Sequence, residues 1–433
     1  MIDHKNLIQK IRNSSLANDS LWAILGNVLG KGLSLLSAIW IARILGKDIY
    51  GEFGFVTNTM IAVAIFCSFG LGYTSTKFIA ENKKKKPEVL SSIIKISEIT
   101  SAGFAILGTI IIFTLSDILS IKFFNQPQLA SLLRLTSLYI LFNTIVRTQI
   151  GILAGFNAFK GLAKVNTVTG IVSIVLNVGL AYFYGLKGVL IGAVVIQLLN
   201  YILNSVLIKK ELKPYRNDKI NIESNLFKNL LTFSIPVALQ EAVYSVLTWL
   251  FGLLLVKYST FAEVGLSSAA LYWSALILFI PGILRNVVLT HLSENTDNYL
   301  RHNRILKITL RFNFGVTLFF SLAVFLLSNV IVNLYGENFN GLKDVLNISV
   351  FTTIFVSMSN VYAQAYMSAS KNWLMLFFRF LRDSLVLILG YYLLIINNGK
   401  EGAILLAKCS LAVSILFFFI MGGFYEFKLK RKF

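Results

Sequence analysis

Long apolar segments follow one another along almost the whole chain, separated by short polar connections. A helix needs about 20 apolar residues to cross the hydrocarbon core of a bilayer. Hydrophobic residues make up 56% of the 433 residues, which exceeds the share of about half that is usual in soluble domains. The pattern therefore predicts an all-α polytopic membrane protein with about twelve transmembrane helices. The apolar segments are approximately 20–42, 53–73, 95–117, 128–153, 163–184, 187–208, 229–256, 264–289, 306–328, 345–369, 373–396 and 401–425.

Basic residues outnumber acidic residues by 40 to 20, and their positions indicate the sidedness of the protein. If the connections alternate between the two membrane sides, one side receives 24 Lys and Arg residues and the other receives 8. The positive-inside rule then predicts that both termini are cytoplasmic. Because this excess charge faces anionic lipid headgroups, membrane lipids are the expected partners and nucleic acid is excluded.

A basic connection over residues 209–228 divides the chain into two parts with six predicted spans each. We interpret it as a cytoplasmic linker between an N-lobe, residues 1–208, and a C-lobe, residues 229–433, which ends in a basic cytoplasmic tail. Six spans return the chain to the same membrane side, so the two lobes would be parallel repeats around a central cavity.

One short pattern that occurs twice supports an internal duplication. Arg43 follows the first predicted span of the N-lobe, and Gly51 lies eight residues later. Lys257 and Gly265 repeat this spacing after the first span of the C-lobe, at an offset of 214 residues. The repeated pattern predicts that the two lobes have the same fold and the same membrane orientation.

Five charged residues lie deep within apolar segments: Lys31, Glu241, Arg379, Arg382 and Asp383. A charge at this depth costs about 3 kcal/mol or more, so it needs a partner or a water-filled path. One interpretation is structural pairing, for which the i, i+4 spacing of Arg379 and Asp383 is suitable. The other is a path for a charged solute, where the cationic excess favours phosphate. The 214-residue offset also predicts that Lys31 and Glu241 face each other across the repeat axis.

The remaining polar residues do not favour catalysis. His4, His291 and His302 lie at or beyond the predicted membrane boundaries and lack the spacing of metal ligands. The sequence has no phosphate-binding Gly-x4-Gly-Lys-Ser/Thr motif and no extramembrane segment long enough for a catalytic domain. We therefore expect a protein that is not an enzyme and that uses no cofactor or metal. Arg147, near the inner end of the fourth span, is expected to extend to the membrane surface.

The connection after the first span carries the most specific pattern, Ala42-Arg43-x-Leu45-Gly46-x-x-x-Tyr50-Gly51. It resembles the signature of the Wzx-type polysaccharide and O-antigen flippases, in the multidrug/oligosaccharidyl-lipid/polysaccharide exporter superfamily. The resemblance implies a MATE-like fold and the transfer of an undecaprenyl-diphosphate-linked oligosaccharide from the inner to the outer leaflet. It also implies alternating access in the bacterial plasma (inner) membrane, driven by an ion gradient, with a proton or sodium counter-ion and a polysaccharide polymerase as candidate partners.

In this family, cationic cavity residues are thought to contact the diphosphate of the substrate. The residues of matching type and place here are Lys31, Arg379 and Arg382, which we assign to substrate binding. Glu241 and Asp383 are assigned to ion coupling or gating. Arg43 joins the gating group because its predicted position is an outer helix end, where it would anchor the hairpin and the outer gate.

Two other kinds of transporter stay open at this point. Another polyprenyl-lipid flippase is one, although lipid II flippases of the superfamily generally have fourteen spans. A multidrug/cation antiporter is the other, although that branch usually has acidic central sites. A membrane glycosyltransferase or a polymerase is the non-transport alternative, and a polymerase is disfavoured because no large periplasmic loop is predicted. The sugars of the substrate are not encoded in any recognisable motif.

Overall fold

The computed structural model describes residues 15–215, 224–294, 298–369 and 371–429. These residues form helices joined by short turns, and the described part of the chain contains no β-strand. The main helices are α1 (Ser15–Cys67), α2 (Leu71–Lys85), α3 (Leu90–Ile118), α4 (Leu129–Gly155), α5 (Phe159–Leu212), α6 (Ser224–Tyr258), α7 (Phe261–Ile277), α8 (Phe279–Glu294), α9 (Tyr299–Leu326), α10 (Ser328–Tyr335), α11 (Leu342–Ser368), α12 (Asn372–Ile396) and α13 (Gly402–Phe424).

Two helices are about twice the length that a bilayer requires. Helix α1 has 53 residues and α5 has 54, and each contains one glycine with non-helical torsions: Gly46 (φ +73°) and Gly185 (φ +56°). Positive φ is available to glycine at little steric cost. A Cβ atom on Gly188 would collide with the Leu180 carbonyl oxygen, so α5 folds back on itself around Gly185. Each of the two long helices is therefore two helices joined at a glycine.

Eight of the described helices are long and apolar enough to cross a bilayer. They include α1 and α5, each of which supplies two crossings when divided at its glycine. Helix α7 is apolar but shorter, with 17 residues, and α12 has 25 residues but carries three charged side chains. With these two helices, the described residues supply the predicted twelve crossings. The all-α polytopic membrane architecture is thus confirmed.

The chain divides into two compact units that do not follow the two halves of the sequence. One unit contains the described residues up to Ser37 together with Val56–Trp249. The other contains Ala38–Phe55 together with the described residues from Leu250 onwards. The middle of α1 therefore packs within the second unit, and the first part of α6 packs within the first. The lobe and linker boundaries drawn from the sequence remain a prediction.

Each unit has its own apolar core, built from side chains of several helices. In the first unit the core includes Ile79, Leu90, Ile93, Ile152, Leu153 and Leu230. In the second it includes Leu306, Val361, Tyr366, Phe378, Val413 and Phe417. On α3, by contrast, Ile106, Leu107 and Ile110 are about half exposed, as expected of side chains that face lipid.

The glycines of the repeated pattern meet each other within the second unit. A Cβ atom on Gly51 would collide with the Phe261 carbonyl oxygen, and a Cβ atom on Gly265 would collide with the Lys47 carbonyl oxygen. Gly51 and Gly265 are 214 residues apart, and so are their contact partners Lys47 and Phe261. The contact is therefore reciprocal, as expected where two copies of one unit cross at a symmetry axis. This geometry supports the internal duplication.

Candidate polar cavities and their charged residues

A polar cavity of about 440 Å³ lies wholly within the first unit. Helices α1, α4 and α5 contribute its walls, and both halves of α5 take part. Its volume falls within the range of about 300–1,000 Å³ that is typical of small-molecule sites. The polar side chains that line it are Ser34, Asn143, Arg147, Asn166, Thr169, Ser173, Gln197 and Asn200.

These polar residues reach one cavity because they recur at helical spacing. Positions three, four or seven apart share a face of an α-helix. Asn143 and Arg147 follow this rule on α4, and Gln197 and Asn200 follow it on the second half of α5. On the first half of α5 the polar positions are Asn166, Thr169 and Ser173. The sequence thus contains the signal for this cavity, but not the fact that the three faces converge.

Arg147 is half-buried and is the basic residue among the described side chains of this cavity. Its Nε donates a hydrogen bond to Oδ1 of Asn143 over 2.9 Å. The amide nitrogens of Asn143 and Gln197 each donate to the Tyr139 hydroxyl group over 3.3 Å. This network holds the guanidinium group in the cavity, so the expected extension of Arg147 to the membrane surface is wrong. The position of Arg147 along α4 indicated how far it lies from the membrane surface. It did not indicate that the amide group of Asn143 is a nearer partner.

Glu241 lies on the part of α6 that packs within the first unit, and its side chain is half-buried. Its carboxylate interacts electrostatically with the Arg147 guanidinium group. Opposite charges on α4 and α6 therefore lie close enough to stabilise each other. The sequence predicts Lys31 as the partner of Glu241. The side chain of Lys31 lies outside what the structure describes, so that pairing remains a prediction.

A smaller polar cavity of about 110 Å³ lies within the second unit. Arg379 and Arg382 of α12 line it together with Gln364 of α11. The Nε and Nη2 atoms of Arg382 both lie 2.8 Å from Oδ1 of Asp383. These two side chains are only 16% and 14% exposed. Asp383 thus pairs with the adjacent Arg382, a contact that the i, i+4 spacing of Arg379 and Asp383 does not predict.

Arg43 is exposed and lines neither polar cavity. Its Cγ atom would lie 3.7 Å from a Cβ atom on Gly336, which follows α10. Arg43 therefore contacts a turn of the second unit, close to the glycine break at Gly46. This position is compatible with its predicted role at a helix end, and the gating role itself remains a prediction.

Metal binding finds no support among the described residues, where no cluster of three or more His, Cys, Asp or Glu side chains could hold an ion. His302 is fully buried within the second unit. Its Nδ1 lies 2.9 Å from the Tyr425 hydroxyl group and its Nε2 lies 3.0 Å from the Ser368 hydroxyl group. Since both ring nitrogens have hydroxyl partners, His302 links α9, α11 and the end of α13.

The fold defines the chain as a multi-pass membrane protein with the architecture of the multidrug/oligosaccharidyl-lipid/polysaccharide exporter superfamily. A multidrug resistance transporter of the MATE family in its inward-facing conformation is similar over 94% of this chain and 99% of its own, with a TM-score of 0.74 and 15% identity. The lipid II flippase MurJ in an inward closed conformation is similar over 93% of this chain and 86% of its own, with a TM-score of 0.69 and 18% identity.

The sequence assigns the family within this architecture. The model of the polysaccharide biosynthesis protein family matches residues 16–288, and the chain belongs to that family. The chain is also 26% identical over 239 residues to an uncharacterised membrane protein of Methanocaldococcus jannaschii. That match covers 53% of this chain and 56% of the relative, so the chain spans little more than half the length of the curated relative.

Proposed function

We propose that the chain is a flippase for undecaprenyl-diphosphate-linked oligosaccharide repeat units, which it moves from the inner to the outer leaflet by alternating access. The polysaccharide biosynthesis family supports a glycan-related substrate. Similarity to a MATE transporter and to a lipid II flippase supports an architecture suited to transport. The proposed location is the bacterial inner membrane, with both termini in the cytoplasm. A proton or sodium gradient is the proposed energy source, and a polysaccharide polymerase is the proposed consumer of the product.

The chemistry of the cavity in the first unit is the main support for this substrate. Arginine binds phosphate through charge-assisted, bidentate hydrogen bonds. Amide and hydroxyl side chains both donate and accept, which suits the hydroxyl groups of sugars. The cavity combines one half-buried arginine with several such groups inside an apolar membrane unit. An anionic, hydroxyl-rich headgroup therefore fits its lining better than an apolar cation does.

Arg147 accordingly joins Lys31, Arg379 and Arg382 as a proposed substrate-binding residue. The hydrogen bond to Asn143 uses only the Nε–H donor of Arg147, and a guanidinium group has five N–H donors. Its remaining donors are suited to a phosphate. Glu241, whose carboxylate interacts electrostatically with Arg147, is a suitable coupling group, since protonation of the carboxylate would remove the charge that competes with an incoming anion. Asp383 and Arg43 are the other proposed coupling or gating residues.

Gene deletion followed by lipid analysis tests the proposed function directly. Cells that lack the protein should accumulate lipid-linked repeat units on the inner leaflet of the membrane. Loss of a polymerase would instead allow single repeat units to reach the outer side. Export of single units by the deletion strain would therefore overturn the flippase assignment.

A pair of arginines on α4 allows a matched test of the cavity. Arg147→Gln removes the cavity cation, whereas Arg134→Gln removes an exposed cation that pairs with Asp117 near the other end of the helix. Charge-assisted hydrogen bonds contribute about 1.5–3 kcal/mol, so we expect Arg147→Gln to reduce transport by about tenfold to a hundredfold. The measurement is flipping of a fluorescent lipid-linked oligosaccharide in reconstituted vesicles. Equal activity of the two variants would exclude Arg147 from substrate binding.

A further inference from the structure

Helix α9 carries three basic residues, Arg304, Lys307 and Arg311, on one exposed face. Their spacing of three and four residues places them one above another along the helix. They border a surface groove of about 420 Å³ together with Leu300, Asn303 and Ile308. We call these three residues the α9 basic stripe. It is separate from both polar cavities, whose lining residues lie on other helices.

The same face of α9 becomes apolar as the helix continues. Phe314, Leu322, Phe325 and Leu326 follow the stripe at helical spacing and are 44%, 43%, 42% and 76% exposed. Large apolar side chains with this exposure on a transmembrane helix face the acyl chains of lipid. The α9 basic stripe is therefore the headgroup end of a lipid-facing surface.

The depth of the stripe makes a bound anion favourable. Counting back from Leu326, about 20 residues of helix span the hydrocarbon core and end near Lys307. Arg311 then lies one helical turn, about 6 Å, inside that boundary. An exposed cation at this depth needs a charge partner or an extended path to the headgroup layer. Within the described part of the chain, none of the three stripe residues forms an ion pair.

We propose that the α9 basic stripe binds the headgroup of an anionic phospholipid, whose acyl chains lie along the apolar continuation of the same helix face. The three cations supply the charge complementarity to the headgroup. By the positive-inside rule, the site lies in the inner leaflet. The occupant is a structural or regulatory lipid, and the proposal does not depend on the identity of the transported substrate.

Lipid retention by the purified full chain tests this site. The protein is equilibrated with vesicles of equal parts phosphatidylglycerol and phosphatidylcholine, extracted, and examined by native mass spectrometry. The unaltered protein should retain phosphatidylglycerol in preference to phosphatidylcholine. The triple variant Arg304→Gln, Lys307→Gln, Arg311→Gln should lose this preference, because each cation near the surface contributes about fivefold to anionic lipid binding.

A charge-matched variant controls for net charge. Lys122→Gln, Lys343→Gln and Lys400→Gln together remove three exposed cations from connections predicted on the outer side. This control should retain phosphatidylglycerol like the unaltered protein. Equal retention by the stripe variant and the unaltered protein would overturn the proposal, as would equal loss in the stripe variant and the control.

Two further experiments distinguish a folding defect from a loss of lipid binding, and a lipid site from a site for free anions. If the triple variant does not fold, Arg311→Gln alone should weaken retention about fivefold, and unchanged retention by it overturns the proposal. Millimolar inorganic phosphate should leave the bound phosphatidylglycerol in place, because the lipid also contacts the apolar face. Release of the lipid by phosphate would show a free-anion site instead. A protein that binds this lipid but does not flip glycolipids would reject only the proposed function.

Discussion

Arg382 and Asp383 form an ion pair in which both side chains are largely buried. Two opposite charges in a membrane helix can be structural, functional or both. Breaking such a pair leaves one charge uncompensated, whereas replacing both partners with apolar groups often restores stability. Stability and transport measurements can therefore separate the two roles at this site.

We expect Asp383→Asn to lower the free energy of unfolding by about 3 kcal/mol, because Arg382 would remain buried without its carboxylate. The double variant Arg382→Met, Asp383→Leu should recover most of this loss. The measurements are thermal unfolding of the purified protein and flipping in vesicles. If Arg382 binds substrate, the double variant stays inactive although it is stable. Full activity of the double variant would make the pair structural only.

Glu241 allows a second test at the residue scale, since its carboxylate interacts electrostatically with the cavity arginine. Glu241→Gln keeps the size of the side chain and removes its charge. We expect transport by this variant to lose its dependence on the ion gradient while substrate binding is kept. The measurement compares flipping rates with and without an imposed gradient, and Asp344→Gln, an exposed acidic residue at the start of α11, is the control. A Glu241→Gln variant that still responds to the gradient would exclude Glu241 as the coupling residue.

At the scale of helices, the crossing of α1 and α7 depends on two glycines that leave no room for a side chain. Gly51 faces the backbone of Phe261, and Gly265 faces the backbone of Lys47. Backbone atoms cannot rotate away as a long side chain can. Close approach at small residues is a common means of joining membrane helices.

We expect Gly51→Ala to destabilise the protein by about 1–3 kcal/mol, because the added methyl group forces the two helices apart. Gly103→Ala on α3 is the matched control, since a Cβ atom there meets nothing within 4 Å. That change should be neutral or stabilising by up to about 1 kcal/mol, because alanine favours helix more than glycine does. Thermal unfolding of both variants in the same detergent gives the comparison. An equal loss of stability in the two variants would contradict this account of the crossing.

At the scale of the whole molecule, α11 provides a simple test of membrane orientation. Lys343 lies at its first turn and Lys371 just beyond its end, and both are exposed. The 27 residues of the helix separate them by about 40 Å, enough to place them on opposite membrane sides. The positive-inside rule assigns Lys343 to the outer side and Lys371 to the cytoplasm.

We expect Lys343→Cys to react with a membrane-impermeant maleimide in intact cells, and Lys371→Cys to react only after the membrane is opened. The two native cysteines, Cys67 and Cys409, are buried and can be replaced by serine to remove background labelling. Labelling in the reverse order would invert the predicted topology. Such a result would also place the α9 basic stripe in the outer leaflet.

The sequence alone determined the membrane class, the helical fold and the family. These follow from apolar segment length and from the Arg43–Gly51 pattern, which are local properties that need no knowledge of packing. The breaks at Gly46 and Gly185 were also predictable, because the apolar segments end near them. The charged residues of α12 were recognised, although the pairing of Asp383 with Arg382 was not.

Only the tertiary structure decided which polar faces share a cavity. Asn143 and Arg147 share one face of α4, whereas Gln197 lies on α5, and their convergence depends on how α4 packs against the two halves of α5. Likewise, no local sequence pattern predicts that the middle of α1 packs within the second unit and the first part of α6 within the first. Helical periodicity records which residues share a face, but contacts between helices depend on the packing of the whole unit.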